Sequence, residues 1–355
     1  MLKVPENQQV WGGNLFRKIA GQLSADVAVD LGTANTLVWV KGQGIVLNEP
    51  SVVALDAETG ALLACGLQAK QMYGKTSRAI VCVRPIKDGV IADFHVTTEM
   101  IKHMLRVVTK RWSLVRPRAV IGVPSDITQV EKRAVLDAAL SSGLRQVFLI
   151  EESMAAAVGS GLPVEQPVGS MIVDIGGGTT EVAVLSLGGS MYTHAIRVAG
   201  DEMDEAIQRY IKQKLGLEIS IFEAERIKIA IGSLLPCSPS MSTKVFGRDV
   251  ASGMPRCIEV TEEVVRAAMH EPVCAIVRAI YTALENVSPE VAQDILATGV
   301  YLAGGGAMIR GLAEALTEKT GIKFIRDGDP LTCVVRGVGK VVEDLERFGS
   351  LCIGA

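Results

Sequence analysis

"VDIGGGTTEV", residues 173–182, sets three glycines and two threonines directly behind an apolar run that ends in aspartate. "VAVDLGTANTLVWV", residues 27–40, has the same shape. Asp30, Gly32 and Thr36 correspond to Asp174, Gly176 and Thr180 at one constant offset. Each stretch reads as strand, tight turn, strand. A lone Asp-x-Gly is an ordinary turn, but two copies at matching places predict a duplicated fold. Two related α/β halves should face each other and hold one ligand between the two turns.

The chemistry of such turns points to phosphate. Without Cβ atoms, backbone N–H groups are open to close approach by phosphate oxygens. Thr33, Thr36, Thr179 and Thr180 add hydroxyl donors. Aspartate repels phosphate but suits Mg²⁺, which takes one or two carboxylates and completes its shell with phosphate oxygens and water. Asp30 and Asp174 are the expected metal contacts. Competing motifs fail. "GVGK" at 337–340 lacks the upstream glycine of a P-loop, and "GGGAMIRG" at 304–311 puts isoleucine where G-x-G-x-x-G needs its last glycine.

Working outward, each half opens with strands and continues as a strand–helix alternation. In the first, "TTEMIKHMLRVVTK" is an amphipathic helix with Met100, Met104 and Val107 on one face, joined by Ile101 and Val108. "RAVIGVP" and "QVFLI" are strands, "TQVEKRAVLDAALSSG" is a helix, and "EESMAAAVGSG" is a short helix with acids at its positive end. In the second half, "GSMIVDI", "TEVAVLSL" and "SMYTHAIRVA" are strands, and "DEMDEAIQRYIKQKLG" and "FEAERIKIAIGSL" are helices. Residues 233–257 read as loops and short strands. A long helix follows with Pro272 at its middle, where a kink or break is expected. "VYLAGGGAMIRGL" reads as strand, glycine turn and helix, and "LTCVVRGVGKVVEDLERF" as one final helix.

At 355 residues the chain has room for two domains, and 48% hydrophobic content supplies a sizeable core. A net charge of −3 gives no basic footprint, so nucleic acid is not an expected partner. The seven cysteines contain no C-x-x-C pair and the four histidines have no ligand spacing, which reads as reduced thiols in a cytosolic protein without zinc. No stretch is apolar enough to span a bilayer, and the N-terminus does not read as a signal peptide. The expected location is the cytoplasm.

"DLGTANT", "GIVLNEPSVVA", "RPIKDGVIADF", "DIGGGTTEVAVLSL" and "LAGGGAMIRGL" resemble the actin–Hsp70–sugar kinase superfamily and, within it, the bacterial actins of the MreB family. The resemblance covers about residues 26–345. It implies an actin-like ATPase fold: two duplicated RNase H-like α/β lobes around a central nucleotide cleft, each with a smaller inserted subdomain. Lobe I would comprise 25–165 and 331–355, with an insert at about 45–90. Lobe II would comprise 166–330, with an insert at about 201–260. It also implies ATP as ligand with Mg²⁺. Thr33, Ala34 and Asn35 would lie along the phosphates, and Gly176, Gly177 and Gly178 would face the β- and γ-phosphates. Gly304, Gly305, Gly306 and Ala307 would pass the adenosine. The segment Ala224, Glu225, Arg226, Ile227 and Lys228 would face it from the other side, through Glu225 and Lys228. Those two are i, i+3 on one helix, a spacing that also suits a plain surface ion pair. By similarity Glu152 would hold the attacking water, with Thr179 assisting.

Implied partners are other copies of the chain in filaments, the inner membrane surface, and cell-wall elongation proteins such as RodZ, MreC and MreD, in a role of organising peptidoglycan synthesis for rod shape. Two stretches suggest the membrane contact. In residues 1–24, Leu15, Ile19 and Leu23 share a helical face with Trp11 and Phe16, and basic residues outnumber acidic ones. In "KRWSLVRPR", residues 110–118, Trp112 and Leu114 sit among four basic residues. A chaperone ATPase would need a substrate domain after the nucleotide domain, and little chain follows the last helix. A small-molecule kinase would need a catalytic base beyond Glu152. ATP versus GTP preference and the protofilament arrangement stay open.

Overall fold

The computed structural model describes residues 26–108 and 116–353. Trp11, Leu15, Phe16, Ile19, Trp112 and Leu114 lie outside them. The first half runs β1 (Val27–Leu31), β2 (Asn35–Val40), β3 (Gly44–Pro50), β4 (Val53–Asp56), β5 (Leu62–Cys65), α1 (Leu67–Met72), β6 (Ile80–Val83), β7 (Ile86–Lys87), β8 (Val90–Ile91), α2 (Phe94–Val108), β9 (Arg118–Val123), α3 (Gln129–Ser141), β10 (Gln146–Glu151) and α4 (Glu152–Gly159). The second runs β11 (Ser170–Ile175), β12 (Thr180–Ser186), β13 (Gly189–Ile196), α5 (Gly200–Leu215), β14 (Leu217–Glu218), α6 (Ile221–Ile231), β15 (Ser242–Asp249), β16 (Pro255–Thr261), α7 (Glu262–Glu285), α8 (Pro289–Thr298), β17 (Val300–Ala303), α9 (Leu312–Thr320), β18 (Phe324–Arg326), α10 (Cys333–Glu343) and α11 (Leu345–Phe348).

The duplication is visible in the sheets. One has strand order β10-β9-β1-β2-β3 and the other β18-β17-β11-β12-β13. In both, three consecutive strands form an antiparallel meander, and two later strands add in parallel beside the first. Strand alternation then sorts the side chains. Val27, Val29 and Leu31 enter the core under α2 and α3, while Ala28 enters the core that holds α4 and α10. Met171, Val173 and Ile175 face α5 to α8, while Ile172 enters that same α4–α10 core. Asp30 and Asp174 share a face with Ala28 and Ile172. Period two alone thus aims both aspartates into the space between the sheets.

Helices α4 and α10 pack in that space at close range. A Cβ on Gly337 would stand 1.7 Å from the Ala155 carbonyl oxygen, and one on Gly159 would stand 2.0 Å from that of Cys333. The atoms met are backbone, so neither can give way. Gly337→Ala is expected to destabilise by about 1–3 kcal/mol through overpacking, read as a fall of several degrees in melting temperature by thermal denaturation.

Four expectations change. Of the kink or break expected at the buried Pro272, no break occurs: helix α7 is one continuous element. Its contacts with α5, α6, β12 and β13 outweigh the roughly 3 kcal/mol that an internal proline costs. The last helix stops at Asp344, whose side chain accepts the Arg347 N–H and starts α11. On α2 the buried face is Met100, Ile101, Met104 and Leu105, with Val107 63% exposed. Residues 242–261 form a long hairpin, β15 with β16.

Candidate nucleotide cleft

A cleft of about 570 Å³ opens between the inner faces of the two sheets. Asp30, Thr33, Ala34 and Asn35 line it from the first turn, and Asp174, Gly176, Gly177, Gly178 and Thr179 from the second. Glu152 joins from the start of α4, Glu225 and Lys228 from α6, and Gly304, Gly305 and Gly306 from the turn after β17.

Both glycine turns are held from behind. In the first, the Ser51 hydroxyl donates to Gly32 O at 2.6 Å and the Ser51 N–H donates to Ala34 O at 3.0 Å. In the second, the N–H groups of Gly200 and Asp201, at the start of α5, donate to Gly176 O and Gly177 O at 3.2 and 2.7 Å. Pinning carbonyls outward leaves amides for an anion. Among the described residues no protein partner is seen for the amides of Gly177 and Gly178. The turns also touch each other. A Cβ on Gly177 would meet the Ala34 Cβ at 2.8 Å, and one on Gly178 would meet the Thr33 hydroxyl at 2.8 Å. Gly304 has φ +79°, and a Cβ there would reach the Asp174 carboxylate at 2.3 Å. Only glycine permits this approach.

The carboxylates carry a strong electrostatic signature. Burial pushes Asp30 up to about 7. Burial, then the Asp30 charge, does the same to Asp174. Asp174 Oδ1 is buried without a hydrogen-bond partner. An orphaned carboxylate oxygen beside a second carboxylate fits a divalent cation. Among the described residues no group of three or more His, Cys, Asp or Glu could hold a metal unaided. A cation here would thus take its other ligands from phosphate and water, as Mg²⁺ does. Glu152 is raised well above the ordinary carboxylate range by burial, then by Glu181, Asp30, Asp174 and Asp126.

These shifts fix a pH dependence. In the folded, cation-free protein Asp30 and Asp174 keep protons that the unfolded chain releases near pH 4. Stability without bound cation is therefore expected to fall as pH rises from about 4 to about 7. Melting temperature in chelator-treated buffer should be higher at pH 6 than at pH 8, and Mg²⁺ with nucleotide should narrow the gap.

The α6 segment is more selective than its sequence implies. Ala224 and Ile227 are fully buried, and Arg226 turns away to Glu223 and the Lys244 carbonyl. Ala307 is likewise buried behind the glycines, at 2% exposure. Glu225 and Lys228 do reach the cleft but do not pair with each other. Lys228 binds Asp204 at 2.9 Å and the Gly200 carbonyl at 2.7 Å. Glu225 binds Lys70 of α1 at 2.6 Å, across the cleft mouth. Arg84 reaches Asp201 at 3.0 Å, and the Tyr73 and Phe222 rings meet edge to face at 5.0 Å. The side chains of both ion pairs are about three-quarters buried. Sequence reading did not find Lys70, Arg84, Asp201, Asp204 or Phe222, because each pairs with a residue far away along the chain or carries no motif.

Among the described residues no helix is long and apolar enough to cross a membrane. The family model described as MreB/Mbl protein matches residues 24–350. The chain is 48% identical over 341 residues to the cell shape-determining protein MreB of Escherichia coli, covering 94% of this chain and 98% of that one. It is 44% identical over 323 residues to the cell shape-determining protein Mbl of Bacillus subtilis, covering 91% and 97%. Its structure resembles the crystal structure of MreB 5 of Spiroplasma citri bound to AMPPNP, with TM-score 0.87, 34% identity, and coverage of 91% and 97%. The MamK double helical filament, at 24% identity and TM-score 0.77 over 90% of this chain and 99% of that one, shares the fold. The duplicated sheets, the paired aspartate–glycine turns and these likenesses agree: this chain belongs to the MreB/Mbl family of actin-like proteins.

Proposed function

We propose that this chain binds ATP with Mg²⁺ between its two glycine turns, hydrolyses it, and assembles into membrane-associated filaments that organise peptidoglycan synthesis and so help set rod cell shape. The observation that carries this reading is the pair of turns. Both aspartates line one cleft, both sets of carbonyls are drawn back, and Asp174 has an oxygen without a partner. The relative bound to AMPPNP supports a nucleotide in the same fold.

Asp30 and Asp174 would hold the cation, and Gly177 and Gly178 would donate amides to phosphate. When bound, Mg²⁺ supplies charge neutralisation for the phosphates. Glu152 would orient a water and take its proton. Thr179, on the second glycine turn, would assist. The lobes would divide as 25–165 with 331–355, against 166–330. Contacts of α10 with α4, β1 and β9 support assigning the C-terminal segment to the first lobe.

Self-association would be head to tail, giving open filaments. On the cytoplasmic face of the inner membrane, many weak anchors at Trp11, Leu15, Phe16, Ile19, Trp112 and Leu114 would act together through multivalency. RodZ, MreC and MreD are the partners this role implies. Electron microscopy of the full chain with Mg²⁺ and ATP on anionic liposomes tests the reading. Filaments on the membrane are expected, and persistent monomers at every concentration would contradict it.

A further inference from the structure

We propose that Glu181 is a positioning residue that locks the two halves of the hydrolytic site in register. It ties the start of α4, which carries Glu152, to the second glycine turn, which carries Thr179. The inference rests on the reading of Glu152 and Thr179 as the groups that direct the attacking water.

Glu181 is the second residue of β12 and is 2% exposed, in a strand whose next residues are Val, Ala, Val and Leu. Burying a carboxylate is costly unless hydrogen bonds compensate. Replacing such a carboxylate together with its partners by apolar groups is often neutral or stabilising, whereas removing it alone leaves the partners unpaired. The protein itself shows that the fold does not require the acid. In the β11–β12 pairing Glu181 stands opposite Asp174; in the duplicate β1–β2 pairing the residue opposite Asp30 is Leu37, also buried. One repeat uses leucine at this place and the other glutamate.

The carboxylate has specific work. It accepts the Ser125 N–H at 2.9 Å and the Ser125 hydroxyl at 2.9 Å. The Ser125 oxygen lies 2.9 Å from the Ser153 oxygen. Because Ser125 gives its proton to Glu181, Ser153 is the donor in that second bond. Ser125 sits in the loop between β9 and α3, and Ser153 is the fully buried neighbour of Glu152 in the first turn of α4. The chain of bonds therefore crosses from the second sheet to the first. It joins β12, immediately behind Thr179, to the helix turn that presents Glu152. Burial pushes Glu181 up to about 7 against the opposing Ser125 bonds, and Glu181 is the largest neighbouring charge acting on Glu152.

The test is single-turnover phosphate release from Mg²⁺–ATP by the full chain, beside AMPPNP affinity and melting temperature. Glu181→Leu copies the other repeat. It should slow release about 10- to 100-fold, the scale of a misplaced catalytic group, with affinity held and only a small fall in melting temperature from the unpaired Ser125 donors. Glu181→Gln can still accept from the Ser125 N–H and donate to its hydroxyl oxygen, so it should recover release to within about threefold of wild type. A plainly structural residue would instead lower melting temperature and affinity together with rate. Wild-type release by Glu181→Leu, or a Glu181→Gln variant as slow as Glu181→Leu, would overturn the proposal. If Glu181→Leu does not fold, Ser125→Ala decides: about tenfold slower release at unchanged affinity is expected, and the wild-type rate overturns it. Glu152→Gln separates the two levels. Slow Glu152→Gln beside fast Glu181→Leu rejects only the positioning role, whereas fast Glu152→Gln rejects the reading of Glu152 itself.

Discussion

Glu152→Ala is expected to bind ATP close to wild type and to release phosphate at least about 10²-fold more slowly, the lower end for a general base or water-positioning group. The side chain opens to the cleft at the first residue of α4, on the inner face between the sheets. The glycines after β17 and the α6 residues, rather than Glu152, are proposed to meet adenosine, so affinity serves as the control. Filaments should still form with ATP and disassemble more slowly if turnover follows hydrolysis. Glu151→Ala is the matched negative. That residue ends β10, is not part of the cleft lining, and accepts a hydrogen bond from the Ser190 hydroxyl at 2.8 Å. Phosphate release by both variants beside a binding titration decides the matter. A wild-type rate in the Glu152 variant, or loss confined to the Glu151 variant, would assign the chemistry to the wrong acid.

Gly177→Val should lower ATP affinity by about 10- to 100-fold, equivalent to the roughly 1–3 kcal/mol of an overpacked contact. The added side chain would start 2.8 Å from the Ala34 Cβ and 3.0 Å from the Ala34 nitrogen. It would push the two turns apart and fill the space where their amides converge. Gly177 itself is half-buried on the cleft wall, so melting temperature without nucleotide should change less than affinity does. Gly143→Val is a useful contrast, since a Cβ there meets nothing within 4 Å, although its φ of +106° adds local strain. Calorimetric titration with AMPPNP reads the effect, and equal affinities for Gly177→Val and wild type would remove the cradle from the account.

Much of this was legible in the residues. The repeat of Asp30–Thr36 as Asp174–Thr180 gave the duplication, and strand period placed both aspartates on the inner faces. Glycines where no Cβ fits marked the close approaches. Other features could not be read, for stated physical reasons. The carbonyls are pinned by Ser51 and by the start of α5, and no spacing in the sequence ties either of them to the glycine turns. Glu225 pairs with Lys70 and Asp201 with Arg84, across 155 and 117 residues. Helical spacing suggested instead a pair between Glu225 and Lys228. Pro272 reads as a helix breaker, yet tertiary packing keeps α7 whole. Glu181 was hidden inside "GGGTTEVAV", where its significance appears only beside Leu37 and Ser125.

The most direct measurement is calorimetric titration of ATP in Mg²⁺ buffer into wild type and into the Asp30→Ala, Asp174→Ala double variant. Saturable binding by wild type and at least about 100-fold weaker binding by the double variant are expected, because two charged contacts to the cation are lost at about 1.5–3 kcal/mol each. Equal affinity in the two proteins, or no binding by wild type, would contradict a nucleotide held through a cation between the two aspartate turns.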